Sequence, residues 1–123
     1  MDIYLIAMIT FAAYFATRFF MNDLTAEKAV RLLDEGAVLI DVRTEEEYQA
    51  AHLKRAINVP LSEMSAGIER IVPERDSVVL LHCRSGSRSF VGKRLLKKMQ
   101  YHKVYNLGSF SRAKRMVSNE SHS

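Results

Sequence analysis

Residues 77–88 read Ser77-Val78-Val79-Leu80-Leu81-His82-Cys83-Arg84-Ser85-Gly86-Ser87-Arg88. The unbroken apolar run Val78 to Leu81 lacks the polar alternation of a half-exposed strand. It predicts a strand over 77–82 buried on both faces, as in a parallel sheet covered by helices. The run ends in the single cysteine of the chain, followed by a small, basic loop and a helix predicted from Ser89 to Gln100. Strand, loop and helix in that order place Cys83 at the carboxyl end of a strand, where open α/β sheets bind their ligands.

The same alternation extends outward in both directions. Thr25 is a predicted N-cap for a helix carrying Ala29, Val30, Leu32 and Leu33, with Gly36 as its stop. Ala37 to Ile40 is a short apolar strand ending in Asp41-Val42-Arg43. Thr44 followed by Glu45, Glu46 and Glu47 signals a helix start, since acids in a first turn face the positive end of the helix dipole. Ala56 to Val59 reads as a strand closed by Pro60, and Leu61 to Ile71 as a helix ended by Pro73. In the helix after Cys83, Val91, Leu95, Leu96 and Met99 are expected inward, with Lys93, Arg94, Lys97 and Lys98 outward. Lys103 to Tyr105 is the last predicted strand. Together these predict an α/β domain with a mainly parallel central sheet between helices.

Composition narrows the class. The chain has 123 residues, 48% hydrophobic and 26% charged, too apolar for a disordered chain and long enough for one ordinary domain. A single cysteine excludes an intramolecular disulfide and a multi-cysteine zinc site. The net charge of +4 is unevenly spread: residues 23–82 hold 7 basic and 12 acidic side chains, residues 83–123 hold 10 basic and 1 acidic. Nucleic-acid binding is not expected, because the basic helix face lacks interleaved aromatic residues.

Ile3 to Thr17 carries no charge, and Arg18 is the one charge between Ile3 and Asn22. Residues 1–22 are therefore expected to form a retained, single-pass transmembrane anchor. Tyr4 towards one end, and Tyr14, Phe15, Phe19 and Phe20 towards the other, suit an interfacial belt. An uncleaved signal is the alternative; a cleaved one fits less well, because the preceding charge is the acidic Asp2 and Tyr14-Phe15-Ala16 offers no small-residue cleavage site. Basic residues Arg18, Lys28 and Arg31 lie downstream, so the domain is expected on the cytoplasmic side, with a periplasmic location as the alternative. The domain is expected over 23–112, with a polar tail over 113–123.

Cys83 is the candidate nucleophile. Gly86 permits a tight or left-handed turn that points peptide N–H groups inward as an anion nest. The helix N-terminus, Arg84 and Arg88 add positive potential, and such surroundings lower a thiol pKa from about 8.5 to roughly 3.5–7.5. Arg84, Ser85, Gly86, Ser87 and Arg88 are thus the expected substrate-binding residues, holding a small anion beside a thiolate. Asp41, Arg43 and Glu47 are expected to brace the sheet end as a charge network, and His52 to be a hydrogen-bonded structural histidine. His82 reads as strand-end structure beside the loop.

At the level of several motifs in order, the chain resembles the rhodanese sulfurtransferases. Leu39-Ile40-Asp41-Val42-Arg43 resembles the first-strand signature of that family. Glu47-Tyr48 with Ala51-His52-Leu53 is similar to its second motif, and Ala56 to Leu61 to the segment that follows. Cys83 to Arg88 resembles its active loop, and Val104-Tyr105-Asn106-Leu107-Gly108 its closing strand and turn. The resemblance covers roughly Thr25 to Phe110. It implies a rhodanese-like three-layer fold and no metal or organic cofactor. It also implies transfer of a sulfane sulfur from thiosulfate or a persulfide donor, through a Cys83 persulfide, to cyanide or a thiol. Three positions depart from the family pattern: Ala51 where glycine is frequent, Arg55 where a small residue is common, and Gly108-Ser109-Phe110 where two glycines and a tryptophan usually stand. Two other readings remain: a non-catalytic interaction module of the same fold, and a cysteine-dependent phosphatase. The phosphatase signature has five residues between cysteine and arginine; here there are four.

Overall fold

The computed structural model describes residues 2–21 and 24–118. A four-stranded parallel sheet has the order β2-β1-β3-β4, with β1 Val38–Asp41, β2 Ile57–Asn58, β3 Val78–His82 and β4 Lys103–Gly108. Helices α2 (Ala26–Asp34), α3 (Glu45–Ala50), α4 (Met64–Ile71), α5 (Ser87–Lys98) and α6 (Phe110–Ser118) connect or follow the strands. A 3-10 turn, Leu61–Glu63, opens the segment expected as one helix from Leu61 to Ile71. Thr25 caps α2 by accepting from the Lys28 N–H, and Thr44 caps α3 in a reciprocal box with Glu47.

The absence of alternation in the strands now has its reason. Ile40, Val79, Leu81 and Val104 face Met64, Ile68 and Leu96 on one side of the sheet. Leu39, Leu80 and Leu107 face Ala29, Leu33, Ala113 and Met116 on the other. Both faces are covered, so successive residues of a strand are all apolar. Each large aliphatic side chain buried this way contributes about 1.5–3 kcal/mol.

Four expectations are corrected. α5 starts at Ser87 and turns Ser89, Gly92 and Leu96 inward, leaving Val91 51% exposed. The helix can approach β3 closely because Gly92 has no side chain: a Cβ there would lie 3.3 Å from Leu81 Cδ1. The apolar pattern misplaced the face because the contact residues are a serine and a glycine. β4 continues past Tyr105 to Gly108, with a shift in register opposite Leu81 and His82. The tail expected from residue 113 instead begins inside α6, where Ala113 and Met116 are buried against α2 and the sheet; residues 119–123 lie outside the described residues.

The fourth concerns the N-terminal segment. Ile3–Met21 is a helix, α1. Among the described residues, however, no helix is long and apolar enough to cross a membrane, so a transmembrane span is not supported. The charge-free stretch 3–17 covers about 22 Å as a helix, against a hydrocarbon core of about 30 Å, and Arg18 follows it. The α1 side chains over residues 3–16 are all exposed, and the Thr10 hydroxyl donates back to the Ile6 carbonyl at 2.8 Å.

Candidate active site

β3 delivers Cys83 to the carboxyl edge of the sheet, beneath the loop that leads into α5. The residue is fully buried. Gly86 takes φ +100°, a left-handed conformation that glycine adopts without strain, and this turn brings its N–H to 2.9 Å from the Cys83 Sγ. The buried Ser89 hydroxyl lies 3.4 Å from the same sulfur. Burial pushes the Cys83 thiol up, but the Ser89 hydroxyl and the peptide N–H groups of Ser89, Gly86 and Ser85 outweigh it, and the thiol sits below its ordinary value. The sulfur therefore sits in a cage of hydrogen-bond donors that favour its ionised form.

The loop is tied to the end of β4. The Cys83 N–H donates to the Gly108 carbonyl at 3.0 Å, the Phe110 N–H to the Arg84 carbonyl at 3.3 Å, and Ser85 bridges Ser109. Asn106 Nδ2 donates to the Gly86 carbonyl at 3.3 Å, while its Oδ1 accepts from the Gly108 N–H at 2.8 Å. Gly108, at φ +90°, passes within 3.4 Å of where a Cβ on Gly86 would stand. Two left-handed glycines thus allow the two turns to pack together.

Of the expected substrate-binding residues, Arg84, Ser85 and Ser87 are exposed on the loop, and Gly86 shapes the cage. Arg88 is tied to a neighbouring helix. Its Nη1 and Nη2 donate to Glu47 Oε1 at 2.6 Å and Oε2 at 3.0 Å. This pair, with the Thr44 cap, holds the Glu47 carboxyl down at about 2. Arg88 is already matched by a carboxylate, so hydrogen bonds, more than the arginines expected from the sequence, lower the thiol.

Of the three residues expected to form one charge network, Asp41 and Arg43 pair, while Glu47 meets Arg88 instead. Arg43 Nη2 lies 2.7 Å from Asp41 Oδ2, and both side chains are buried. The same nitrogen donates to the Ala51 carbonyl at 2.6 Å, which fastens the start of the next loop. Asp41 pairs with His82 in the β1–β3 register, and His82 Nε2 lies 3.7 Å from Asp41 Oδ2 with no hydrogen-bond partner. Burial pushes the His82 imidazole down, with the nearby Asp41 carboxylate opposing it. Phe110 sits on this cluster, its ring 4.5 Å from the Arg43 guanidinium carbon and 5.8 Å from the His82 ring. His52 stacks on Tyr48 at 3.8 Å, and its Nδ1 lies 2.8 Å from the Tyr48 carbonyl oxygen, remote from the sulfur in its bonding. Ser89, Asn106 and Phe110 were not expected at the site. The signal for Ser89 was a hydroxyl one turn into the helix after a cationic loop.

Residues 25–115 match the Rhodanese-like domain. The chain is 41% identical over 69 residues to the thiosulfate sulfurtransferase PspE of Escherichia coli, covering 56% of this chain and 66% of that protein, so about a third of PspE lies outside the match. It is 32% identical over 89 residues to a sulfurtransferase of Allochromatium vinosum, covering 71% of this chain and 81% of that one. A solved structure described as rhodanese with anions from E. coli superimposes with a TM-score of 0.61 at 36% identity, covering 63% of this chain and 91% of that one. The parallel sheet, the cysteine at its carboxyl edge and the match across 25–115 agree: the chain belongs to the family of rhodanese-like domains.

Proposed function

We propose that the protein is a rhodanese-type sulfurtransferase that works through a persulfide on Cys83. The carrying observation is the cage: a buried sulfur that accepts from the Gly86 N–H and faces the Ser89 hydroxyl, on a loop that exposes Arg84, Ser85 and Ser87. The thiolate attacks the outer sulfur of thiosulfate or of a persulfide donor. The new S–S bond forms as the donor S–S bond breaks, and sulfite, or the donor thiolate, leaves with the electron pair. An acceptor, cyanide or a thiolate, then attacks the outer sulfur, and Cys83 leaves as a thiolate. The loop amides and the charge of Arg84 favour an anionic donor at each stage.

The test is the mass of the folded chain after thiosulfate treatment. One added sulfur, about 32 Da, on Cys83 and its removal by cyanide are expected. A folded protein that takes no sulfur overturns the proposal. Release of phosphate from an aryl phosphate, without sulfur transfer, would favour the phosphatase reading, which the four-residue spacing disfavours.

We further propose that α1 attaches the protein to a membrane, with the catalytic domain on the cytoplasmic side. Support comes from its apolar residues, exposed all round over 3–16, and from Arg18, Lys28 and Arg31 downstream. Sedimentation of the full chain with membranes, lost on deleting residues 2–21, is expected; a full chain that stays in the supernatant overturns it. A reporter on the C-terminus reads the side.

A further inference from the structure

We propose that Ser89 is a catalytic residue whose hydroxyl proton alternates between the Gly86 carbonyl and the Cys83 sulfur as charge leaves and returns to that sulfur. The inference rests on the sulfur-transfer reading and adds a residue to it.

The hydroxyl is fully buried on the inward face of α5, where an apolar side chain would pack against β3. It has one proton and two acceptors: the Gly86 carbonyl oxygen at 3.0 Å and the Cys83 Sγ at 3.4 Å. The carbonyl does not depend on it. Asn106 Nδ2 donates there at 3.3 Å and the Phe90 N–H at 3.1 Å. The hydroxyl can therefore leave the carbonyl without orphaning a buried acceptor. A thiolate gains more from the proton than a neutral carbonyl does, since hydrogen bonds to ionised acceptors are the stronger ones.

The cycle moves the negative charge by one atom. In the resting thiolate the charge is on Sγ, and the Ser89 proton faces it together with the Gly86 N–H. When the S–S bond forms and sulfite leaves, Sγ becomes a neutral bridging atom and the charge resides on the outer sulfur. The Ser89 proton turns back to the Gly86 carbonyl; it stays on its own oxygen throughout. When an acceptor takes the outer sulfur, the Sγ–S bond breaks and Cys83 departs with the electron pair. The hydroxyl then turns to the sulfur again and stabilises the leaving thiolate. The thiolate at Sγ is the product of the second half-reaction, so loss of this donor slows return of the sulfur to the acceptor; in the first it is the reactant, and loss of the donor slows loading only by lowering the ionised fraction of Cys83.

The experiment uses the full chain as wild type, Ser89→Ala and Ser89→Thr, titrated by the ultraviolet absorbance of the thiolate. The chain has one cysteine, so the signal belongs to Cys83. The expected result is a midpoint about one pH unit higher in Ser89→Ala, near the wild-type value in Ser89→Thr, and a kcat for thiosulfate about tenfold lower in Ser89→Ala with KM changed little. A merely structural serine would change the melting temperature without moving the midpoint. Should Ser89→Thr not fold, Ser89→Gly supplies a second variant without the hydroxyl, expected to show the same raised midpoint and lowered kcat as Ser89→Ala. A midpoint and kcat unchanged in folded Ser89→Ala overturn the proposal. If wild type itself forms no persulfide with thiosulfate, the functional reading fails instead, whatever the midpoints.

Discussion

Arg88, the last residue of the active loop, makes a two-pronged ion pair with Glu47 of α3, at 2.6 and 3.0 Å, across 41 positions of sequence. The pair fixes the start of α5 to the start of α3, and so sets how the cage sits over Cys83. The Glu47 carboxyl, with an ordinary value of 4.5, is held at about 2. A depressed carboxylate contributes stability that is full above its unfolded value and is lost as pH falls through its folded one. Wild type is therefore expected to lose stability between about pH 4.5 and 2 on this account. Glu47→Gln is expected to cost about 1–2 kcal/mol at pH 7, because one charge-assisted bidentate pair is removed from a part-buried site. The deficit should shrink towards pH 2. Urea unfolding at several pH values reads both; a deficit independent of pH rules out the ion pair as its cause.

His82 gives a second pH dependence of different origin. Its ring is buried, and burial holds the imidazole below the ordinary 6.5, with Asp41 pulling the other way. The unfolded chain therefore takes up a proton near pH 6.5 that the folded chain refuses. Stability from this residue is full above that value and falls as pH drops below it, at up to about 1.4 kcal/mol per pH unit. His82→Gln is expected to flatten the change in urea midpoint between pH 7.5 and pH 5.5, whatever it does to absolute stability. An equally steep loss in the variant would assign the effect to other groups.

Much of this was legible in the sequence, and the exceptions share a cause. The run Val78 to Leu81 gives the strand because both its faces are covered, and the Thr44–Glu47 spacing gives the cap because both partners are local. Cys83 and its loop are legible for the same reason: their chemistry lies within six consecutive residues. What could not be read is set across the fold. That Arg88 meets Glu47 instead of a ligand depends on how α3 and α5 lie against each other. That Ser89 and Gly92 face inward while Val91 faces out depends on how closely α5 approaches β3, and an apolar pattern cannot report a contact made by small residues. α6 escaped notice because its two inward side chains, Ala113 and Met116, are surrounded by Arg112, Lys114 and Arg115.

Arg84 is the exposed cation of the loop, one residue from the nucleophile. With Arg88 engaged by Glu47, Arg84 is the arginine of the loop expected to act on a dianionic donor. Arg84→Ala should raise KM for thiosulfate about fivefold, the worth of roughly 1 kcal/mol for one exposed charge, and leave kcat within a factor of about two. Added salt should raise the wild-type KM and hardly affect that of the variant, since an exposed charge is screened. A fall in kcat at constant KM would instead place Arg84 in the chemical step.

Gly86 is where shape and chemistry depend on the same atoms. At φ +100° a residue with a side chain is strained, and a Cβ would meet the Gly108 backbone at 3.4–3.5 Å, ordinary but unyielding contact. The strain alone costs about 1–3 kcal/mol. The chain can relieve it by rotating this peptide, and the rotation withdraws the N–H that donates to Cys83 Sγ at 2.9 Å. Gly86→Ala is therefore expected to lose more activity than stability: a melting temperature lowered by a few degrees, a higher thiolate midpoint, and persulfide formation slowed at least about tenfold. Gly36→Ala is the control. It has a similar φ of +107° with open space around its Cβ position, far along the chain from Cys83. It should show comparable strain with sulfur uptake intact. Equal losses of activity in the two variants would reduce the role of Gly86 to backbone strain alone.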